Sequence, residues 1–453
     1  MRRRNFLGGV VGLVGSGAGL ASALLAGCGN GTQEDDTAII GGGLAGLTVA
    51  YRLEQAGISA RVYEGSSRLG GRVRTDRASF LDGQHAELGG ERIDSTHAGI
   101  LALCQELGLD VIAAAPTGAN LYPVGGTVLT QAQADAALAP IADALEAARP
   151  HASALDALSL AAWLDSIAAS GPGRTLFERA ATVRYGLDPD QLGISNLLVR
   201  PVPDAHHRIA AGSDALVGEL AAALSPDQVV LRHRLIALAP RSDGRYRCTF
   251  DTGGDAVDIV ARRIVLALPF STLRRCALSI DLPADQRRAI AELGYGTGNK
   301  IAYGFFSRFW TDAGDSGTTL TDLGWQATCD ASVSQAGSSG ILVNEFGGRR
   351  GLDSALHDAN SGLTTFVTEL DTVIPGAVAQ ATGMSASAAW PIAPFSLGSA
   401  SALLPGQATA FGSSLGAASG NVHFCGEHTA GPLAGTMEGA VASAATIAML
   451  LSA

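Results

Sequence analysis

The sequence predicts an α/β fold in which a doubly wound nucleotide-binding domain is interleaved with an α+β domain, and three observations carry that prediction. Residues 37–72 read as a single βαβ unit. Strand-like alternation returns between residues 229 and 267, and a strand, a loop and an apolar helix close the chain after residue 422.

The βαβ unit begins with Thr37 to Ile40, a short apolar run containing two β-branched isoleucines, and ends that run in a glycine cluster. From Leu44 and Ala45 the apolar spacing becomes helical, through Leu47, Val49, Tyr51 and Leu53, until Gly57 stops it. Ala60 to Tyr63 forms the second strand, and Glu64 stands at its end, 18 positions after Gly46. The three glycines serve different physical needs. Gly41 permits a tight turn, Gly43 lets backbone N–H groups approach a pyrophosphate, and Gly46 lets the helix pack closely on the sheet. The helix N-terminus favours an anion, and Glu64 can accept the ribose hydroxyls of an adenosine. GxGxxG alone is weak among 58 glycines, but strand, turn, helix, strand and acid fall in the order of a Rossmann-type dinucleotide site.

Arg68-Leu69-Gly70-Gly71-Arg72 follows, and then Ala86-Glu87-Leu88-Gly89-Gly90-Glu91-Arg92. These runs resemble the flavin-containing amine oxidase superfamily, which includes monoamine, polyamine and L-amino acid oxidases. The resemblance implies FAD rather than a diffusible nicotinamide, held by Arg68, Gly71, Arg72, Gly89, Gly90 and Glu91 in addition to the first glycine turn. It also implies a Rossmann-type FAD-binding domain built from residues 37–95, 205–285 and 405–453, interleaved with an α+β substrate domain from 96–204 and 286–404.

Composition narrows the partners. With 47% hydrophobic residues the chain can bury a large core, and a formal charge of -11 with pI near 5.3 argues against a nucleic-acid surface. Met1-Arg2-Arg3-Arg4-Asn5-Phe6-Leu7 and the apolar stretch after it, residues 1–27, look like a bacterial twin-arginine export signal, which carries proteins already folded around a cofactor. Leu25-Ala26-Gly27-Cys28 also resembles a lipobox. Residues 28–36 would then be a polar tether from a lipid anchor on Cys28 at the membrane surface, giving a periplasmic or cell-surface protein; simple secretion or an uncleaved anchor are the other readings. The remaining cysteines are scattered, without CxxC pairs or zinc-like spacing, so no metal is expected and the thiols read as small buried hydrophobes.

The middle of the chain carries less signal. Gly99 to Leu109 and Gln131 to Ala169 have helical spacing and read as helices that shape a substrate chamber. A helix is expected from Arg208 to Leu216, and His206 and His207 read as solvated or structural. The superfamily places a strand residue against the adenine at a position that maps onto Leu235.

Lys300 leads an apolar alternating strand ending in Phe309-Trp310. By itself that is an edge or surface lysine. The resemblance instead implies a lysine aimed through a water at the flavin, where desolvation is expected to lower its pKa. Trp390 either lines the flavin, as in relatives, or is a core residue. Ser399 stands where some relatives carry a cysteine bonded to the flavin, which implies non-covalent FAD. In the closing run, Glu427 is expected to accept from the ribityl chain, and the helix N-terminus at Met437 to face the flavin.

Many relatives sandwich the substrate between two aromatic rings, and the matching positions here are Ala400 and Thr436; Tyr295, Phe395 or Trp325 are the candidates to supply rings from elsewhere. Arg92 has two readings: a clamp for a substrate carboxylate, as in L-amino acid oxidases, or an arginine that pairs with Glu87 or Glu91 or touches the flavin. The resulting expectation is an FAD-dependent oxidase of an amine or L-amino acid, with Lys300, Arg92 and Trp390 at the chemistry and O2 as the final acceptor. A flavin-dependent desaturase or isomerase of an apolar substrate, and a non-catalytic flavin-bearing surface lipoprotein, are the alternatives.

Overall fold

The computed structural model describes residues 33–200 and 207–453, so the signal-like segment, Cys28 and His206 lie outside the described residues. The first strand, β1 (Gln33–Ile40), leads through the glycine turn into α1 (Leu44–Gln55) and then β2 (Ala60–Tyr63). β1 therefore starts four residues ahead of the apolar run, inside the expected tether. The reason is its neighbour: β3 (Ala256–Leu266) is long enough to pair in parallel with all of β1, from Gln33 opposite Ile259 to Ile40 opposite Leu266. The polar half of β1 stays exposed or half-buried, and Asp36 pairs with Arg263.

Among the described residues this first sheet has eight strands. Its parallel half joins Val229–Val230, β2, β1 and the C-terminal end of β3, which also pairs with Val422–Phe424. Its other half is an antiparallel meander of Arg234–Pro240, Tyr246–Asp251 and the N-terminal half of β3. Both faces are covered, as a parallel sheet requires. On one side Leu47, Val49 and Leu53 of α1 pack with Leu216, Leu220 and Val441, and on the other Tyr63, Phe250, Ile264, Phe270 and Phe424 form a second cluster. His207–Ile209 is a short strand, and the helix expected from Arg208 begins only at Asp214. Pairing of His207–Ile209 with Val111–Ala113 takes those residues out of the helix.

The second sheet has seven strands among the described residues. Its centre is β4 (Asn299–Phe305) against β5 (Gly340–Phe346), flanked by Ala381–Ser387 on one side and by Ala327–Asp330, Asp315–Leu320, Ala119–Val124 and Thr127–Leu129 on the other. The β4/β5 register places Lys300 opposite Glu345. Helices Gln131–Ala148 and Gly171–Tyr185 pack on each other beside this sheet, and the closing helix α2 (Met437–Ser452) returns to lie against α1. No helix among the described residues is long and apolar enough to cross a membrane.

Candidate active site

The dinucleotide cradle follows from the glycines. Gly41 has φ +110°, and a Cβ there would stand 2.7 Å from the Ala267 carbonyl oxygen; a Cβ on Gly46 would come within 1.9 Å of the Gly41 oxygen. At Gly43 the nearest atom to such a Cβ is 3.9 Å away, so the space above the helix start is open. Gly43 caps α1 without a side-chain acceptor, and the first turn holds no acid, which leaves its N–H groups directed at an anion. Glu64 accepts from Gly42 N and Ser66 N, both at 2.8 Å, which fixes the turn while leaving lone pairs for ribose hydroxyls. These residues fit the phosphates and ribose of a dinucleotide.

Other residues expected at the cofactor also bond within the protein. Arg68 donates to the carbonyls of Leu69, Gly71 and Val73 and lies 5.8 Å from the Trp390 ring, so it rigidifies the loop it belongs to. Leu235 is buried in the core cluster beneath the sheet, and a register shift between Leu235 and Ala237 marks a bulge in its strand. Glu427, expected to accept from a ribityl chain, is already saturated. One oxygen takes Arg72 Nη1 at 2.7 Å and Ser401 N at 3.0 Å, and the other takes Ser401 Oγ at 2.6 Å and Gly435 N at 2.7 Å. Four donors use all its lone pairs. Burial opposes its charge, but Arg72, His428 and Ser401 overcome it and hold the carboxyl down to about 2. Glu427 therefore ties Arg72, the Ser401 loop and the Gly435 turn together.

Residues 88–90 pack against Arg72, Trp390 and Met437. Gly89 and Gly90 admit no side chain: a Cβ would stand 2.0 Å from Arg72 O at the first and 2.9 Å from Met437 Cγ at the second. Trp390 is 6% exposed, and its indole N–H donates to the Leu88 carbonyl. It stands against Gly89. Ala389 and Leu397 on either side adopt φ +49°, a strained conformation for residues with a Cβ, held because Gly398 N and Ser396 Oγ both bond the Trp390 carbonyl. Ser399 Oγ accepts from Gly298 N at 3.0 Å.

Lys300 and Arg92 meet in a quartet of alternating charge. Lys300 Nζ lies 2.9 Å from Glu91 and 3.5 Å from Glu345, and Arg92 Nη2 lies 2.9 Å from the other oxygen of Glu345. The sequence-derived pairing of Arg92 with Glu87 or Glu91 is thereby corrected to Glu345, and Glu91 pairs with Lys300. The expected fall in the Lys300 pKa is reversed: burial does oppose the ammonium, but Glu91 and Glu345 outweigh it and hold the lysine above its ordinary value. Glu345 is pulled down to about 2, chiefly by Arg92 and Lys300 against the effect of burial. Sequence reasoning missed Glu345; its one signal was a carboxylate inside the apolar run of β5.

The candidate rings are elsewhere too. Trp325 is in the core, donating to Thr319; Tyr295 accepts from Phe270 N; Phe395 packs beside Gly65. A cavity beside Ala400 and Thr436 is instead lined by Tyr185, Arg200, Ser401 and Gly435. Thr436 is the N-cap of α2, accepting from Gly439 N.

A glycine cradle at a helix N-terminus and, on the second sheet, a lysine held between the carboxylates of Glu91 and Glu345 define a dinucleotide-dependent oxidoreductase. Comparison with known proteins narrows the class. The model of the flavin containing amine oxidoreductase family matches residues 44–451, and the chain belongs to that family. It is 27% identical over 356 residues to a protein named as a flavin-containing monoamine oxidase in Mycobacterium tuberculosis, covering 70% of this chain and 75% of that one. It is also 27% identical over 452 residues to an L-amino-acid oxidase of Siganus canaliculatus, covering 90% and 83%. In fold it is similar to cyclohexylamine oxidase from Brevibacterium oxydans, with a TM-score of 0.82 at 23% identity, over 92% of this chain and 100% of the other. The protein is an FAD-dependent oxidoreductase of amines, and these comparisons favour oxidative deamination over desaturation or isomerisation.

Proposed function

We propose that this enzyme oxidises a primary amine or L-amino acid at the carbon bearing nitrogen, giving an imine that water hydrolyses to a carbonyl compound and ammonia. FAD, held by the glycine turn of residues 41–46 and Glu64, would supply the two-electron acceptor for the hydride, with O2 as the final oxidant and H2O2 as its product. The observation that carries the reading is Lys300, whose ammonium is held by Glu91 and Glu345 beside the Gly89-Gly90-Met437 contact. An ammonium has three donors, and two go to carboxylates, so the third is free to orient a water. Because the lysine stays charged, it does not act as a base toward the amine. The substrate nitrogen must reach the site neutral, and Trp390 and Gly89 form the wall that positions it.

The test is peroxide release by the purified holoenzyme across L-amino acids, primary amines and polyamines, with Lys300→Met in parallel. Turnover on one of these classes, with slower reoxidation in the variant, is expected. The proposal fails if no amine or amino acid bleaches the flavin under anaerobic conditions. We also propose export through the twin-arginine-like segment and lipidation of Cys28, supported by the residues around Arg3 and Leu25 alone. Fractionation tests it: Cys28→Ala should move the protein from the membrane to the soluble periplasmic or secreted fraction.

A further inference from the structure

We propose that Arg200, and not Arg92, is the residue that receives an anionic group of the substrate, so that the preferred amine carries a carboxylate. The inference rests on the amine-oxidising reading above and names the substrate class for it.

Both arginines are cations near the site, but their partners differ. Arg92 is taken by Glu345 at 2.9 Å. Arg200 is only 5% exposed, and its one hydrogen bond among the described residues runs from Nη1 to the Ser401 carbonyl at 3.2 Å. The Tyr185 ring lies 5.7 Å from its guanidinium. No carboxylate among the described residues forms an ion pair with it, and Glu427, the acid whose charge reaches it, has all its lone pairs committed. A guanidinium carries five N–H donors, and a buried one left with a single neutral acceptor is costly unless a ligand completes it.

The space for that ligand is present. Arg200 lines a cavity of about 60 Å³ with Tyr185, Ala400, Ser401, Gly435 and Thr436, room enough for a carboxylate group or about two waters. Ala400 and Thr436 occupy the positions where the family resemblance places aromatic rings. Gly435, at φ +83°, keeps the arginine accessible: a Cβ there would stand 3.4 Å from Arg200 Nη1 and 3.8 Å from Ala400 Cβ. The same cavity is edged by Asp94, His97 and Arg184, and Asp94 accepts from Thr96 N and Oγ1. Small residues in place of rings thus exchange an apolar cage for a cationic one, and a flat carboxylate can take two parallel N–H bonds from Arg200 while its hydrocarbon part lies along Tyr185.

The experiment compares kcat/KM for pairs that share one skeleton, an L-amino acid against its decarboxylated amine and its methyl ester, in the holoenzyme and in Arg200→Gln, Arg200→Lys and Arg92→Gln. Binding of benzoate, followed by the change in flavin absorbance, gives a readout that needs no turnover. Expected is a wild-type preference for the free acid that falls about a hundredfold in Arg200→Gln, the size of a lost charge-assisted bond pair, with partial recovery in Arg200→Lys and benzoate affinity falling in step. Flavin content shows whether each variant folds, and the lysine variant serves if the glutamine one does not. A preference unchanged in the Arg200 variants, or lost in Arg92→Gln instead, overturns the assignment. So does a wild-type enzyme that oxidises the amine and ester as well as the acid, whereas silence on every substrate would overturn the amine-oxidising reading itself.

Discussion

Glu345→Gln is the sharpest test of the quartet. Glutamine keeps the shape of the side chain but removes its charge, so Lys300 is left with Glu91 alone and Arg92 loses its carboxylate at 2.9 Å. Breaking one member of a buried ionic network costs about 3–5 kcal/mol, and because Arg92 is half-exposed and can rehydrate, the low end applies. The depressed carboxyl gives the same size independently: a fall from 4.5 to about 2 corresponds to about 3 kcal/mol. With an unfolding entropy of about 2.1 cal/mol/K per residue over roughly 420 ordered residues, that is a drop of about 3–4 °C in Tm. The sign with pH follows. A carboxyl whose folded pKa lies below its unfolded value stabilises fully above about 4.5, and the contribution is lost as pH falls toward about 2. The assay is thermal release of flavin fluorescence for wild type and variant at pH 7 and pH 3.5, where the gap should shrink by roughly 40%. Equal melting temperatures at pH 7, or a gap that does not close on acidification, would refute the electrostatic account.

Three further outcomes follow from the geometry. Gly46→Ala puts a Cβ 1.9 Å from the Gly41 oxygen, so the turn must open, and purified protein should carry little or no FAD by absorbance. Glu87 is buried against Ser213 N and Thr75, and burial pushes its carboxyl up to about 7, so the fold loses stability as pH rises from about 4.5 through 7. Glu87→Gln, which keeps those bonds without the charge, should raise Tm at pH 8 and leave it unchanged at pH 4.5. Thr436→Ala removes the acceptor for Gly439 N at the start of α2 and should cost about 1 kcal/mol in denaturant unfolding, with flavin affinity weakened because Met437 abuts Gly90.

The sequence by itself determined the parts whose chemistry is local. Gly41, Gly43, Gly46 and Glu64 were legible because a turn, a helix N-terminus and a strand end lie within one βαβ unit, and backbone sterics leave few residues that fit them. Lys300 by its own residues reads as an edge or surface charge, and it, Trp390 and Glu427 were singled out only through the family resemblance. Only the tertiary structure decided who pairs with whom. Lys300 and Glu345 lie 45 positions apart and meet because antiparallel register sets them opposite each other, and Glu91 reaches the same lysine from the first domain segment. Tyr185, Arg200, Ala400 and Gly435 come together from three segments in the same way. Whether a buried charge titrates, binds a ligand or ties two loops together depends on its nearest opposite charge. That distance is set by sheet register and loop packing, to which a one-dimensional pattern of residue types is blind.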